Sequence, residues 1–233
     1  MTRGLLLRLL AARAAGRPVA LVTDLCCGRQ WLVHGDPDEE PPAAEGQGLA
    51  AAVLAGARRY LRLDRSGLIG PGEDAAEEAY HFVRSFNPPP RLVVVGAGEM
   101  ARAMRRLAAE LGYRVVAVEA AGPPGSDGPW RDLAVDAHTA VVALTHDPSL
   151  EEPALLAALR SRAFYVGALG DRHANRRRLD RLRRTGLGEA ELNRIRSPAG
   201  LDIGACSQAE AALSILSEIT AVRRNRGEAG SPR

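Results

Sequence analysis

The chain has 233 residues, 46% hydrophobic and 25% charged, which is typical of a soluble globular protein with one large domain or two smaller ones. Its formal net charge of +3 is too small to indicate a nucleic-acid-binding protein, and we attribute the exclusive use of arginine among its 31 basic residues to coding bias. No apolar run reaches the ~18 residues of a membrane span, so we expect a cytoplasmic protein without a membrane or nucleic-acid partner.

The N-terminal part predicts a small α/β domain. Short apolar runs at Val19–Asp24 and Gln30–His34 predict strands, and the Ala-rich segment Gly48–Arg62 predicts a helix. Between them, Asp36–Gly46 is too polar and too rich in proline to bury a hydrophobic face, so it predicts a loop.

Three consecutive prolines mark the sharpest boundary in the chain. Pro88, Pro89 and Pro90 favour an extended connector, because proline fixes φ and restricts the residue before it. We therefore predict an N-terminal domain over residues 1–86, a linker over 87–90, a second domain over 91–224 and a flexible tail over 225–233.

The segment that follows the prolines predicts a nucleotide-binding unit of one strand, a glycine turn, a helix and a second strand. Gly96, Gly98 and Ala101 have the G-x-G-x-x-G/A spacing directly after an apolar run. Such a turn brings a pyrophosphate close to backbone amides at a helix N-terminus. Glu119 ends the second strand, where a carboxylate could accept hydrogen bonds from a ribose, and Glu99 lies on the first helical turn.

Strands and helices continue to alternate beyond this unit. The predicted elements are strands at Ala140–Leu144 and Ala163–Val166 and helices at Leu150–Arg160 and Arg172–Thr185. A last helix has an apolar stripe and a capping box formed by Ser207 and Glu210. The predicted fold class is α/β, with a Rossmann-like doubly wound parallel sheet and a smaller N-terminal α/β domain.

A first candidate site follows the third predicted strand of the second domain. His146 could meet a ligand phosphate or transfer a proton, with Asp147 orienting its ring and Thr145 beside it. Alternatively, Asp147 caps a helix that begins at Pro148 and His146 is merely exposed. The local sequence leaves both interpretations open.

A second candidate site lies where a glycine-bearing strand end meets an arginine-rich helix. Gly167, Gly170, Asp171 and Arg172 would provide free amides and a cation suited to a phosphate or another anion. The other arginines of this helix are equally well explained as a solvated face.

The third candidate site is the long loop Ser197–Ser207. Asp202 stands between Gly200 and Gly204, and the loop has too few apolar residues for a strand. The glycines either shape the backbone to approach a ligand or supply the positive φ values of a tight turn.

Four stretches between Pro88 and Val222 can be taken together: PPPRLVVVGAG, TAVVALTHD, FYVGALGDR, and SPAGLDIGA with AALSILSEI. In this order they resemble the motifs of the XdhC/CoxI family. The resemblance implies a factor that binds the molybdenum cofactor, of the molybdopterin type, and passes it to a molybdenum hydroxylase of the xanthine dehydrogenase or CO dehydrogenase type. It further implies a homodimer and, in some members, a sulfurtransferase partner.

The resemblance carries a cofactor-binding role to the positions that match the family's motifs. These are Gly96, Gly98, Thr145, His146, Asp147, Gly167, Gly170, Arg172, Gly200, Asp202 and Gly204. Glu99 and Glu119 complete the candidate set, and no catalytic residue is predicted.

Some positions depart from the family's pattern. Glu99 stands where the family usually has His, and Asp171 where it usually has Ser. In the N-terminal domain, the family's Gly-Gly-Cys segment has only Cys26–Gly28 as a counterpart. Both acids lie where an anionic ligand is expected, and each would oppose a phosphate by like charge.

These observations leave three functions to compare. The leading one is a cofactor-binding and insertion factor without turnover. The second is an NAD(P)-dependent oxidoreductase, or another dinucleotide enzyme, that uses His146 as its acid and base. The third is a non-catalytic scaffold whose ligand site has decayed, which Glu99 and Asp171 would favour.

Overall fold

A computed structural model of the chain describes residues 1–35, 48–70, 80–120, 130 and 133–225. The loop predicted at Asp36–Gly46 and the tail beyond residue 225 lie outside these residues. The chain divides between Pro88 and Pro89 into two units, and the chain from Arg224 onward groups with the first. Among the described residues, no helix is long and apolar enough to cross a membrane.

The first unit contains a four-stranded antiparallel sheet with the strand order β2-β1-β4-β3. Its elements are α1 (Arg3–Ala14), β1 (Val19–Asp24), β2 (Gln30–His34), α2 (Ala51–Leu63), β3 (Gly67–Ile69) and β4 (His81–Phe86). The predictions of β1, β2 and α2 are confirmed. Strands β3 and β4 were not predicted, because β3 has three residues and β4 carries polar side chains among its apolar ones.

Alternate residues of β1 bury the two faces of this sheet. Ala20 and Val22 pack in a cluster with α2, whereas Val19 packs in a second cluster with Leu9 of α1. Because successive side chains of a strand point to opposite faces, one apolar strand can hold a helix on each side.

The second unit is built on a five-stranded parallel sheet with the order β6-β5-β7-β8-β9. Its elements are β5 (Arg91–Val95), α3 (Glu99–Glu110), β6 (Arg114–Val118), β7 (Thr139–Ala143), α4 (Pro148–Arg160), β8 (Tyr165–Ala168), α5 (Arg172–Arg183), α6 (Glu189–Leu192), β9 (Ile195–Arg196) and α7 (Gln208–Asn225). The predicted α/β fold with a doubly wound parallel sheet is confirmed. Strand β8 begins two residues later than predicted, and β9 was not predicted.

Both faces of the parallel sheet are covered by helices. Val93 and Val95 pack in a cluster with α4 and α6, and Leu92 and Val94 pack in a cluster with α3 and α7. Strands buried on both faces need continuous apolar runs rather than alternation, which explains the valine-rich sequence of β5.

The strand order creates a switch point between β5 and β7. The chain leaves β5 through α3 and forms β6 on one side, and then returns to form β7 on the other side. Adjacent connections that depart in opposite directions leave a crevice at the carboxyl ends of the strands, which is where doubly wound sheets bind ligands. The turns that begin at Gly96 and Thr145 border this crevice.

Candidate functional site

The glycine turn after β5 packs directly against the end of β7. Gly96 is buried with φ +112°, and a Cβ atom there would lie 2.9 Å from the Leu144 carbonyl oxygen and 3.2 Å from Thr145 Cβ. Gly98 precedes α3 with φ +104°, and a Cβ there would meet nothing within 4 Å. Gly96 therefore permits the close approach of the two strand ends, whereas Gly98 leaves space in front of the helix N-terminus.

Two acidic side chains flank this turn. Glu99 is the first residue of α3 and is exposed. Glu119 follows β6, and its Oε1 accepts a hydrogen bond of 2.7 Å from Nη1 of Arg105 on α3. The Glu119 side chain is 51% exposed, so this is a weak surface ion pair that a ligand hydroxyl could replace.

Asp147 caps α4. Its Oδ1 accepts hydrogen bonds from the backbone nitrogen of Ser149 at 2.9 Å and from the Ser149 hydroxyl at 2.7 Å, and Pro148 follows in the first turn. Of the two interpretations of this segment, the helix cap describes these bonds. His146 is exposed beside the cap.

The glycines around β8 occupy two different environments. Gly167 lies inside the strand, buried against the Tyr165 ring, where a Cβ would be 2.6 Å from Cε1. The structure therefore places Gly167 before the loop rather than in it. Gly170 lies in the loop with φ +114°, and a Cβ there would be 3.0 Å from the Ala174 Cβ and 4.0 Å from Cε1 of His146.

Asp171 and Arg172 begin α5 in exposed positions. Asp171 Oδ1 accepts a hydrogen bond of 2.7 Å from the backbone nitrogen of Ala174, and this bond holds the pKa of the carboxyl below its usual value. The carboxylate is thus charged at neutral pH. Arg172 offers a cation beside it.

Glu218 of α7 anchors the beginning of the loop Ser197–Ser207. Its Oε2 accepts hydrogen bonds from the Tyr165 hydroxyl at 2.6 Å and from the Gly200 backbone nitrogen at 2.8 Å, and its Oε1 lies 3.1 Å from Nη1 of Arg196. Burial and this carboxylate together raise the pKa of Tyr165. The start of the loop is therefore fixed to α7.

The rest of this loop is exposed. Asp202 Oδ1 accepts a long hydrogen bond of 3.4 Å from the Gly204 nitrogen. Glu210 Oε2 accepts from the nitrogens of Cys206 at 2.7 Å and Ser207 at 2.9 Å, and Ser207 Oγ accepts from the Glu210 nitrogen at 3.1 Å. The predicted capping box is confirmed, and its bonds, led by that from Cys206, lower the pKa of Glu210.

Sequence reasoning missed the buried Arg178 of α5. Its side chain is 2% exposed and forms an ion pair of 2.6 Å with Glu151 of α4. The arginine-rich pattern of the segment favours a solvated face, which is wrong for this residue. One signal could have found it: Arg178 lies four residues from both Ala174 and Leu182, on the stripe that faces the core.

A series of short contacts brings parts of the three predicted sites together. The Gly96 turn adjoins Thr145, the Gly170 position adjoins His146, and Ser197 Oγ lies 3.5 Å from the Gly170 carbonyl oxygen. These contacts run along the carboxyl edge of the sheet, across the switch point. The described contacts do not connect Glu119, Asp202 or Gly204 to this series.

The largest described cavity of the second unit lies elsewhere. It has a volume of about 440 Å³ and is found toward the amino ends of β8 and β9, lined by Phe164, Tyr165, Asn193, Arg194, Arg196 and Val222 among others. We give more weight to the carboxyl edge, because a shallow crevice there carries the open amides and the exposed ionisable groups. Among the described residues, no group of three or more His, Cys, Asp or Glu side chains is placed to hold a metal ion.

Two relatives and one solved structure are similar to this chain. The molybdenum cofactor insertion chaperone PaoD of Escherichia coli K12 is 34% identical over 147 residues, which are 63% of this chain and 44% of that protein. A probable xanthine dehydrogenase subunit of Bacillus subtilis 168 is 24% identical over 211 residues, which are 77% of this chain and 62% of that protein. The chain thus spans less than two thirds of the length of either relative.

A crystal structure of a xanthine dehydrogenase from Bacillus halodurans covers 97% of this chain and 65% of its own, with a TM-score of 0.65. At 19% identity, this likeness shows the fold alone. The family model described as the XdhC Rossmann domain matches residues 92–219. This match confirms the resemblance seen in the four motifs, and the chain belongs to the XdhC family.

Proposed function

We propose that the chain binds a molybdopterin-type molybdenum cofactor at the carboxyl edge of the second unit and inserts it into a hydroxylase of the xanthine dehydrogenase type. The observation that carries this proposal is the convergence of the Gly96, His146 and Gly170 turns at the switch point. The names of the relatives, a cofactor insertion chaperone and a probable xanthine dehydrogenase subunit, indicate the class of cargo and the class of recipient.

The residues present at this edge suit a ligand with both a phosphate and a polar ring. The amides at the start of α3 face open space in front of Gly98, and helix N-termini favour anions. Arg172 and His146 are exposed and could donate hydrogen bonds to a phosphate or to the ring oxygens. We assign Thr145, Gly200, Asp202 and Gly204 to the rim of this site, while Gly167 shapes the strand beneath it.

The proposed role is holding and delivery, without turnover. Asp147 is engaged in the α4 cap, so it does not orient His146 for proton transfer. A homodimer, a sulfurtransferase partner and a cytoplasmic location belong to this proposal through the family resemblance alone.

An NAD(P)-dependent oxidoreductase is the second candidate. Gly96, Gly98 and Glu119 retain the positions of a dinucleotide fingerprint after β5 and β6. In this structure, however, the Glu119 carboxylate is paired with Arg105, so a ribose would have to replace that contact.

The two candidates are separated by what the purified protein binds. The chain is produced in a molybdenum-replete bacterial host, and bound molybdenum is measured by elemental analysis and bound pterin by fluorescence after oxidation. Apo-protein is then titrated with cofactor released from a purified hydroxylase and, separately, with NAD and NADP. Stoichiometric pterin supports the chaperone, whereas binding of NAD or NADP alone supports the oxidoreductase.

A matched pair of variants tests the location of the site. Arg172→Ala removes an exposed cation at the start of α5, and Arg184→Ala removes an exposed cation just after its end. We expect the first to weaken cofactor binding roughly tenfold, as for one charge-assisted hydrogen bond, and the second to leave it unchanged. Equal effects would place the ligand away from the carboxyl edge.

A further inference from the structure

Arg178 and Glu151 form a buried charge pair between two helices of the second unit. Their side chains are 2% and 3% exposed, and Nη2 of the arginine lies 2.6 Å from Oε1 of the glutamate. Taking two charges out of water is costly, and apolar pairs of similar volume are often as stable. The stability of the core alone therefore does not account for these residue types.

The guanidinium of Arg178 contacts each of the three segments that follow β7, β8 and β9. Glu151 lies in α4 directly after the segment Thr145–Asp147. Nη2 also donates to the carbonyl oxygen of Leu169, next to Gly170. Nη1 donates to Ser197 Oγ at 3.1 Å, at the start of the third loop.

Two further contacts keep this guanidinium in place. Nη1 donates to Asn175 Oδ1 of its own helix at 3.1 Å. The Glu151 carboxylate also lies 3.4 Å from Nη2 of Arg181, so both of its oxygens face arginines of α5. The charges that surround Arg178 are therefore those of Glu151, together with Arg181 on the far side of the carboxylate.

We infer that Arg178 is a positioning residue that holds the three loops of the carboxyl edge at fixed distances from one another. Its donors lie in one rigid plane, so a shift of one loop must break a bond or move the others. The same guanidinium lies below Gly170, where a Cβ would be 3.6 Å from Nη2. The effect on ligand binding rests on the proposed function, whereas the effect on the loops does not.

The first test compares Ser197→Ala with Asn175→Ala. Each variant removes one neutral acceptor at 3.1 Å from the same Nη1 atom, but only Ser197 belongs to a loop. Hydrogen exchange is measured over residues 145–147, 169–171 and 197–201. We expect Ser197→Ala to raise exchange about fivefold in all three segments, as for loss of one hydrogen bond, and Asn175→Ala to leave them unchanged. Faster exchange confined to residues 197–201, or equal effects of the two variants, would overturn the inference.

The second test replaces both charges together, with Arg178→Met and Glu151→Met in one protein. Thermal unfolding should show a folded second unit, while the three loops exchange faster and cofactor affinity falls about tenfold or more. A folded double variant with native exchange rates and native affinity would overturn the inference. If the double variant does not fold, the comparison of Ser197→Ala with Asn175→Ala decides. A native protein that binds no pterin would refute the proposed function and leave the exchange comparison valid.

Discussion

Glu218 offers the sharpest test of how α7 fixes the third loop. Its side chain is 12% exposed, and one oxygen accepts from both the Tyr165 hydroxyl and the Gly200 nitrogen. In Glu218→Gln, the amide oxygen can keep both bonds, but without the charge. The amide group then faces Arg196, which also donates and cannot accept.

The magnitude follows from the difference between charged and neutral hydrogen bonds. A bond to a charged group contributes about 1 kcal/mol more than a neutral one, so two bonds give a loss of about 2 kcal/mol in the free energy of unfolding. For a protein of this size, that loss corresponds to a fall in Tm of about 4–8 °C. Removing the adjacent negative charge should also lower the pKa of Tyr165 toward its usual value.

The assay combines urea unfolding, thermal unfolding and a spectrophotometric titration of the tyrosines. Glu210→Gln is the control, because Glu210 lies in the exposed first turn of the same helix and accepts from Cys206 and Ser207 instead. It should leave the tyrosine titration unchanged. If Glu218→Gln has native stability and a native Tyr165 titration, the carboxylate does not anchor the loop and the reasoning is wrong.

Three more predictions concern the turns of the carboxyl edge. Gly96→Ala should lower the free energy of unfolding by about 3 kcal/mol or more in urea denaturation, because φ is +112° and the Cβ would lie 2.9 Å from a carbonyl oxygen. Asp171→Asn should remove part of the loss of stability on acidification: the native pKa of Asp171 is lowered, so its contribution is present above about pH 4 and lost as the pH falls further. Glu99→Gln should tighten an anionic ligand about fivefold in a binding titration, since one screened like-charge contact is removed.

Each of these predictions has a defined contrary outcome. Native stability of Gly96→Ala would mean that β5 and β7 end farther apart than described. An unchanged acid-unfolding profile for Asp171→Asn would show that the α5 cap does not persist in solution. Unchanged or weaker ligand binding by Glu99→Gln would mean that Glu99 points away from the phosphate or contacts another part of the ligand.

Local patterns in the sequence were sufficient for the fold class and for the places where ligand-binding turns occur. The valine run of β5, the glycine spacing after it and the capping box at Ser207 and Glu210 all depend on interactions within a few residues. Such interactions are legible in sequence because the chain itself brings the partners together.

Only the tertiary structure decided which residues of those turns face one another. The apolar run from Ala163 has no internal boundary, so pairing with β7 decided where β8 begins and buried Gly167 within it. Arg178 resembles its solvent-facing neighbours in sequence, yet it is buried because its position on α5 faces the core and Glu151 supplies an opposite charge there. Partners such as Arg178 and Ser197 lie on different elements, and their meeting depends on how helices and strands pack rather than on local spacing.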